Sequence, residues 1–363
     1  MTLSSAARRE LLDTIETQRF GCEMAGSPLY ASMLDVIAAD VEADGPFAHL
    51  LEPVAERPFG DAVVLRLLAA LHRLVLDGEA PDLAEHCPSS VGPDPGRPAV
   101  DLRTALLSTA ERQADAIAAG VAEGVQTNEV GRSASLLGGY LEAARLGLPL
   151  RVLELGASAG LNLLFDRYRY VDRDGAFGPA DSPLSFVHPW YFGAPDLDVP
   201  LVVAERMGCD PRPIDVTTHQ GRQRLRSYVW PDQLERLARL DAALEVAVAE
   251  PPRVDRAGAA VWLPGQLRDP VPGRCTVVVH SIVLQYLSLP DRQQVLSEID
   301  RAGERATPDA PLAWLRCEPG GDQAEVRITT WPDGVTHLLA TSAYHGPPVV
   351  WRAPRGGAVR PVR

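Results

Sequence analysis

The residues best suited to chemistry in this chain form a short glycine-rich run in the middle of the sequence, Glu154-Leu-Gly-Ala-Ser-Ala-Gly160. The apolar stretch that leads into it, Arg151–Leu155, predicts a buried strand, and the amphipathic stretch Leu161–Tyr168 predicts a helix. Glycine lets a ligand approach the backbone closely, and the N–H groups that begin a helix face such a ligand. The combination predicts a site for a nucleotide-like molecule.

Two known kinds of glycine-rich turn can be compared with this run, and only one of them matches it. The dinucleotide fingerprint G-x-G-x-x-G fails in its spacing, because Ser158 and Leu161 stand where its second and third glycines belong. The nucleophile elbow G-x-S-x-G matches Gly156–Gly160 literally and would make Ser158 the nucleophile of a serine hydrolase. That serine normally follows several strands of its sheet, whereas the residues before 150 predict almost only helices.

A serine hydrolase would also need an acid and then a histidine later in the chain. Asp300 followed by His337 or His345 would satisfy that order. Nothing in the sequence brings these side chains together, so the hydrolase remains an alternative that rests on the turn alone.

A third interpretation comes from resemblance. Glu154–Gly160 resembles E/D-x-G-x-G-x-G, the first motif of class I S-adenosylmethionine (SAM) methyltransferases, except that Ser158 replaces the middle glycine. More widely, the chain resembles a large, mostly uncharacterised actinobacterial family, a domain of unknown function with a methyltransferase-like fold. The segments that carry this second resemblance are Gly26–Tyr30, Gln126–Arg132, Leu155–Leu163, Val229–Gln233 and Val279–Leu287.

The resemblance implies SAM as the cofactor and assigns roles around the turn. Glu154 would hold the amino group of SAM, and an acid at the end of the second strand would bind the ribose hydroxyls. Pro213–Thr217 predicts that strand, which makes Asp215 the expected acid and Asp210 the alternative. The residues expected beside the methionine part of SAM are Gly156, Ala157, Ser158, Gly160 and Asn162.

The position after the predicted third strand, where the family implies an acid for the adenine amino group, holds none. Gly258 lies there within Ala257–Ala260 and is expected to contact the cofactor, and Asp255 or the indole of Trp262 could substitute for the missing acid. After the predicted fourth strand, His280 is expected to line the cofactor pocket and to act as a general base, with Tyr286 as a second catalytic candidate. Many methyl transfers need only proximity and alignment, so a base is not obligatory.

Polar residues also cluster ahead of the glycine-rich run. Gln126, Asn128 and Arg132 are expected to contact the substrate, with Arg132 as a bidentate fork, and Trp190 is expected to join them from an aromatic-rich insertion. An equally open alternative is that Thr127 or Asn128 merely caps a helix.

The strand and helix pattern predicts an α/β fold, a Rossmann-like doubly wound sheet of the class I methyltransferase type. Residues 1–125 are expected to form an all-helical N-terminal region. Residues 126–363 are expected to form the SAM-binding domain, with a β-hairpin insertion at about 170–212 whose turn is signalled by Asp174-Gly175.

The bulk composition excludes several classes of function. The chain has 363 residues and a net charge of −13, which argues against a nucleic-acid partner. Its longest apolar region, Val63–Leu76, is shorter than the roughly 20 residues that span a bilayer, so no membrane partner is expected. The cysteines are scattered singly, and no two histidines have the spacing of a metal-binding motif, so no metal site is expected. We expect a cytoplasmic protein, monomer or homodimer, with a small-molecule acceptor.

Overall fold

The computed structural model of the chain describes residues 3–57, 59–90, 100–173, 175–187 and 190–352. These residues form two compact units. The first comprises Met1–Thr127 and His219–Ala238, and the second comprises Asn128–Thr218 and Arg239–Arg363.

Twelve α-helices are described in these ranges. In chain order they are α1 Ser5–Met24, α2 Pro28–Glu42, α3 Pro46–Leu51, α4 Val63–Leu76, α5 Pro81–Ala84, α6 Leu102–Arg112, α7 Ala114–Ala122, α8 Gly131–Ala144, α9 His219–Ser227, α10 Leu234–Ala249, α11 Ala259–Gln266 and α12 Leu289–Glu304. None of these helices is long and apolar enough to cross a membrane.

Twelve strands are described as well. They are β1 Leu150–Leu155, β2 Arg169–Asp172, β3 Gly175–Phe177, β4 Ser185–Val187, β5 Tyr191–Phe192, β6 Val203–Asp210, β7 Val254–Arg256, β8 Cys275–Ser281, β9 Leu312–Pro319, β10 Ala324–Trp331, β11 Val335–Ala343 and β12 Gly346–Trp351.

The described residues of the first unit form helices and turns and no strand. Its apolar core runs along α1, α2 and α4, where Leu11, Ile37 and Leu71 are almost wholly buried. The segment 219–238 also belongs to this unit, although the sequence pattern predicts it to be part of the domain that contains the sheet. Asp232 explains part of this placement, because its carboxylate accepts hydrogen bonds from the Ser27 hydroxyl at 2.6 Å and from the Leu29 N–H at 3.1 Å.

The second unit has a mixed α/β fold around a large sheet. The strand order is β5-β12-β11-β10-β9-β8-β1-β6-β7. The strands β9, β8, β1, β6 and β7 are parallel to one another, while β10, β11 and β12 continue from β9 as an antiparallel meander. Strands β1 and β8 are buried along their whole length, as the apolar runs of the sequence predict.

The prediction of the second core strand is wrong. That strand is β6, Val203–Asp210, and not Pro213–Thr217. The segment after β6 contains Pro211 and Pro213, which lack the N–H groups that a central strand must donate. It forms a turn instead, in which Asp215 accepts a hydrogen bond from the Thr217 N–H at 2.9 Å.

The insertion after the glycine-rich run forms a separate sheet of three strands. β2 pairs with β3 antiparallel, which confirms the predicted hairpin, and with β4 parallel. Asp174, one of the two turn residues, lies outside the described residues. Two later strands of the segment 170–212 belong to the large sheet instead: β5 joins β12 at its edge, and β6 pairs with β1.

Candidate ligand site at the carboxyl ends of the parallel strands

The parallel strands define one edge at which a ligand can bind. β1 lies between β6 and β8. The chain continues from β1 to β6 and β7 on one side of β1, and then crosses to β8 and β9 on the other side. In open α/β sheets, ligands bind outside the carboxyl ends of the strands at the point where the strand order reverses. The segments that meet at this point follow β1, β6 and β8.

The loop that follows β1, here called the glycine turn (residues Gly156–Gly160), contains three residues in the left-handed backbone region. Gly156 has a φ of 65°, Ser158 of 54° and Gly160 of 76°. A Cβ atom on Gly156 would lie 2.7 Å from Cγ2 of Val283. Ser158 has a conformation that glycine adopts without strain, so glycine would also fit at its position.

The N–H groups of the glycine turn are satisfied by the protein itself. Ala157 donates to the Cys209 carbonyl at 3.0 Å, and Ser158 donates to Oδ2 of Asp210 at 3.0 Å. Leu161 donates to Oδ1 of Asn128 at 2.9 Å. The predicted helix after the turn is a 3-10 helix, Leu161–Arg167, that is non-helical at Leu164. The turn thus offers no open helix N-terminus to a phosphate.

Asn128 is placed differently from both sequence hypotheses. Its side-chain oxygen accepts from the N–H groups of Ala159 and Leu161, so it holds the glycine turn instead of capping α8. The side chain of Asn162 is also bonded within the protein, since its Oδ1 accepts from the hydroxyl of Ser133 in α8 at 2.6 Å.

We expect Asn128→Ala to destabilise the protein, because the N–H groups of Ala159 and Leu161 lose their acceptor. The expected loss in the free energy of unfolding is about 1–2 kcal/mol, measured by urea denaturation. Thr127→Ala, which alters the preceding exposed residue, is the matched control and should change stability by less than about 0.5 kcal/mol. Equal effects of the two variants would contradict this role.

Glu154 occupies the penultimate position of β1, directly ahead of the turn. The residue is only 3% exposed, and its Oε2 has no hydrogen-bond partner among the described residues. Burial raises the pKa of Glu154 to about 8; the negative charge of Asp210 adds to this shift and the positive charge of Arg132 opposes it. A buried carboxyl without a partner is ready to receive a hydrogen-bond donor from a ligand.

The acid at the end of the second strand is Asp210, not Asp215. Asp210 is the last residue of β6 and is buried; its two carboxylate oxygens accept from the N–H groups of Ser158 and Arg212. Asp215 is exposed and lies in the turn beyond the strand, where hydrogen bonds from Thr217 lower the pKa of its carboxyl. Asp210, the alternative in the sequence analysis, therefore has the position at the strand end that was predicted for Asp215.

The loop that follows β8, here called the β8 loop (residues 282–288), is held against the glycine turn. Ile282 has a φ of 54°, an unusual conformation for a β-branched residue, and its N–H donates to the Cys317 carbonyl at 2.9 Å. Arg132 donates from Nη1 to the Ser281 carbonyl at 3.1 Å and from Nε to the Tyr344 carbonyl. Two nitrogens of the Arg132 guanidinium, which was predicted to bind the substrate in a bidentate manner, thus donate to backbone carbonyls. Fewer of its N–H groups remain for a substrate.

His280 lies below this loop and is wholly buried. Its Nδ1 is 2.6 Å from Oε1 of Glu318, and its Nε2 accepts from the indole N–H of Trp314 at 2.9 Å. Both ring nitrogens are therefore engaged, so the predicted role of His280 as a general base does not fit this geometry. Tyr286, the second catalytic candidate, belongs to a 3-10 helix in the β8 loop and is 63% exposed.

The remaining predicted residues are dispersed. Trp190 is buried in an aromatic cluster of the insertion, and its indole N–H donates to the Val171 carbonyl at 2.9 Å. Gln126 is buried in the first unit. Gly258 precedes α11, directly after β7, and an added Cβ there would meet no atom within 4 Å. Beside it, the carboxylate of Asp255 accepts from the Trp262 indole at 2.8 Å.

The residues proposed for a hydrolase triad are not assembled by any described contact. Ser158 is 3% exposed, Asp300 faces solvent on α12, and His345 lies 3.5 Å from Oε2 of Glu129. Within the described parts of the chain, no group of three or more His, Cys, Asp and Glu side chains could hold a metal ion.

Comparison with known proteins gives a family but no activity. A family model described as "Uncharacterized protein conserved in bacteria (DUF2332)" matches residues 13–351. Its description refers to bacteria in general, so the narrower resemblance to an actinobacterial family goes beyond it. No curated protein and no solved structure matches the chain.

Proposed function

We propose that the chain, which belongs to the bacterial family DUF2332, binds SAM at the carboxyl edge of its parallel strands and transfers the methyl group to a small molecule. Glu154 carries this proposal. Its buried Oε2 lacks a partner among the described residues, two positions ahead of Gly156. The amino group of SAM would supply the missing donor and a compensating charge.

The topology of the sheet supports a Rossmann-like fold of the class I methyltransferase type. Numbered along the chain, the parallel strands β1, β6, β7, β8 and β9 have the spatial order 3-2-1-4-5. This is the order of the first five strands in a Rossmann sheet, and its reversal lies between β1 and β8. The meander of β10, β11 and β12 replaces the sixth strand.

The hydrogen bonds of the glycine turn favour SAM over a dinucleotide. A dinucleotide needs free backbone N–H groups for its pyrophosphate, and those of Ala157, Ser158 and Leu161 are already bonded within the protein. SAM has no phosphate and needs only close approach of the backbone, which Gly156, Ala157 and Gly160 permit.

The ribose and adenine would lie further along the same edge. We assign the ribose hydroxyls to Asp210, since each carboxylate oxygen can accept more than one hydrogen bond. The Ala257 N–H donates to the Asp210 carbonyl at 3.0 Å, which brings Gly258 next to this acid. Gly258 and the start of α11 would then border the adenine.

Bound SAM would supply an electrophilic methyl carbon, so the task of the protein is to position the acceptor. His280 is enclosed by Glu318 and Trp314 and therefore orders the β8 loop instead of accepting a substrate proton. Holding the two reactants in line suffices for such a transfer.

Calorimetric titration with SAM and with S-adenosylhomocysteine tests the proposal. We expect Asp210→Asn to weaken binding of both ligands by roughly tenfold or more, because a charge-assisted hydrogen bond to the ribose is lost. Asp215→Asn is the matched control and should bind both ligands as the wild-type protein does. Absence of binding by the wild-type protein at millimolar ligand would overturn the proposal.

A SAM-binding sensor without methyl transfer is the second candidate, and the enclosed ring of His280 favours it. It predicts tight SAM binding with no release of S-adenosylhomocysteine when small-molecule acceptors are supplied. The hydrolase alternative predicts labelling of Ser158 by a fluorophosphonate probe, which we do not expect because that side chain is buried.

A further inference from the structure

Glu318 at the end of β9 has a carboxylate whose two oxygens differ in their surroundings. Oε1 accepts from Nδ1–H of His280 at 2.6 Å and from the Val283 N–H at 3.0 Å. No hydrogen bond to Oε2 is formed by any described residue, and the side chain is 15% exposed. One oxygen thus holds the β8 loop, and the other is available to a ligand.

The carboxylate of Glu318 forms no ion pair with an arginine of the described residues. Trp314 donates its indole N–H to Nε2 of His280, which leaves Nδ1 as the ring nitrogen that donates to Glu318. Arg316, the nearest cation on the strand, stacks on Trp314 with its guanidinium carbon 3.9 Å from the ring centroid. Within the described part of the chain, no arginine nitrogen lies within 4.0 Å of the Glu318 carboxylate.

Glu318 is also connected to the candidate SAM site. β8 and β9 pair in parallel up to Ser281 and Cys317, so Glu318 follows directly at the carboxyl edge. Val283, whose N–H binds Glu318, has its Cγ2 2.7 Å from where a Cβ of Gly156 would be. A single residue therefore separates this carboxylate from the glycine turn.

We propose that the acceptor is an amine and that Oε2 of Glu318 faces the nitrogen that receives the methyl group; this inference rests on the proposed function. The nitrogen lone pair forms the new C–N bond while the C–S bond breaks, with its electron pair left on sulfur. Positive charge passes from sulfur to nitrogen, and the nitrogen then loses a proton to water. The fixed negative charge of Glu318 stabilises the positive charge that develops on nitrogen.

The environment of Glu318 favours this role over that of a general base. Although burial opposes it, the contacts with His280 and with the N–H groups of Val283 and Leu284 hold the pKa of Glu318 below its usual range. A carboxylate of low pKa is a weak base, poorly suited to deprotonate a hydroxyl near neutral pH. It remains charged, as stabilisation of a cationic nitrogen requires.

Sinefungin tests the position of this carboxylate without knowledge of the acceptor. This SAM analogue has a protonated amine on carbon where SAM has its methylated sulfonium, whereas S-adenosylhomocysteine has a neutral thioether there. We expect the wild-type protein to bind sinefungin roughly tenfold or more tightly than S-adenosylhomocysteine, the size expected of one charge-assisted hydrogen bond. Calorimetry with both ligands measures this ratio.

Glu318→Gln should bring the ratio close to one and leave the affinity for S-adenosylhomocysteine unchanged, because the amide oxygen still accepts from His280 and Val283. Glu325→Gln is the matched control: Glu325 is the cross-strand neighbour of Glu318 in β10, so the same charge is removed beside it. The control should keep the wild-type ratio.

The outcomes separate the two proposals. If the wild-type protein binds both ligands equally, or if Glu318→Gln keeps the preference for sinefungin, the inference about Glu318 is overturned while SAM binding stands. If neither ligand binds, the proposed function fails and this inference fails with it. Should Glu318→Gln not fold, the ratio of the wild-type protein alone still decides.

Discussion

Gly156→Asp is expected to lower the affinity for SAM at least ~100-fold, a loss of about 3 kcal/mol in binding free energy. The new Cβ would lie 2.7 Å from Cγ2 of Val283. Val283 cannot withdraw freely, because its N–H is bonded to Glu318. The added carboxylate would also lie close to Glu154 and oppose its ionisation. Titration calorimetry with SAM and S-adenosylhomocysteine measures the loss.

Gly147→Asp separates the effect on the site from backbone strain. Gly147 has a φ of 76°, similar to the 65° of Gly156, but an added Cβ would meet no atom within 4 Å. Both variants should lose the roughly 1–2 kcal/mol that a non-glycine residue costs in the left-handed region, and Gly156→Asp should lose more stability because its Cβ meets Val283. Only Gly156→Asp should lose SAM binding. Wild-type affinity in Gly156→Asp would place the ligand elsewhere.

The sequence predicts those parts of the site whose signals are local. Strand β1 is apolar apart from Arg151 and Glu154 and ends just before Gly156, and four of the seven residues of β8 are β-branched. Their burial in the structure follows from this composition. Ser158, which replaces the middle glycine of the motif that this run resembles, has a left-handed backbone.

Strand β6 could not be recognised from its pattern. Glu205 and Arg206 interrupt its apolar residues, and each is stabilised by a distant ion pair: Glu205 with Arg151 and Arg206 with Asp166. No local periodicity records such partners. The apolar residues of Pro213–Thr217 gave a stronger signal, and the choice of Asp215 over Asp210 followed from that error.

The polar contacts of the site were hidden for a related reason. Glu318 is a single acid at a strand end, and its bond to His280 joins residues 38 positions apart. Asn128 holds Leu161 across 33 positions. A sequence shows that such side chains exist, but only the folded chain shows which groups they reach. His280 was recognisable as unusual within an apolar strand, whereas its enclosure was not.

Glu154→Gln is expected to stabilise the free protein and to weaken SAM binding. The folded pKa of Glu154 is about 8, against 4.5 for an ordinary glutamate. Between these values the unfolded chain has lost its proton while the folded protein keeps it, so the free energy of unfolding falls as the pH rises through this window. The glutamine amide resembles the protonated carboxyl and cannot ionise. At pH 7 the variant should gain on the order of 3 kcal/mol, measured by urea denaturation.

The pH dependence of stability provides the control for this gain. The difference between Glu154→Gln and the wild-type protein should vanish well below pH 4.5, where both states keep the proton, and should grow up to about pH 8. Glu325→Gln, which alters a half-buried glutamate of β10, should show no such growth. A constant difference across the pH range would contradict the raised pKa of Glu154.

SAM binding should reverse the protonation of Glu154. The amino group of the ligand favours the carboxylate, so binding at pH 7 should release close to one proton, roughly 0.9 for a group with a pKa about one unit above the pH. Calorimetry in phosphate and in Tris, whose ionisation enthalpies differ, measures this number. Glu154→Gln should release about one proton fewer and bind SAM roughly tenfold or more weakly. Equal proton release by the two proteins would show that Glu154 does not meet the amino group, even if SAM binds. The buried, unpaired carboxyl would then be a source of instability without a ligand to compensate it, which is why its protonation, and not affinity alone, is the decisive observation for this site.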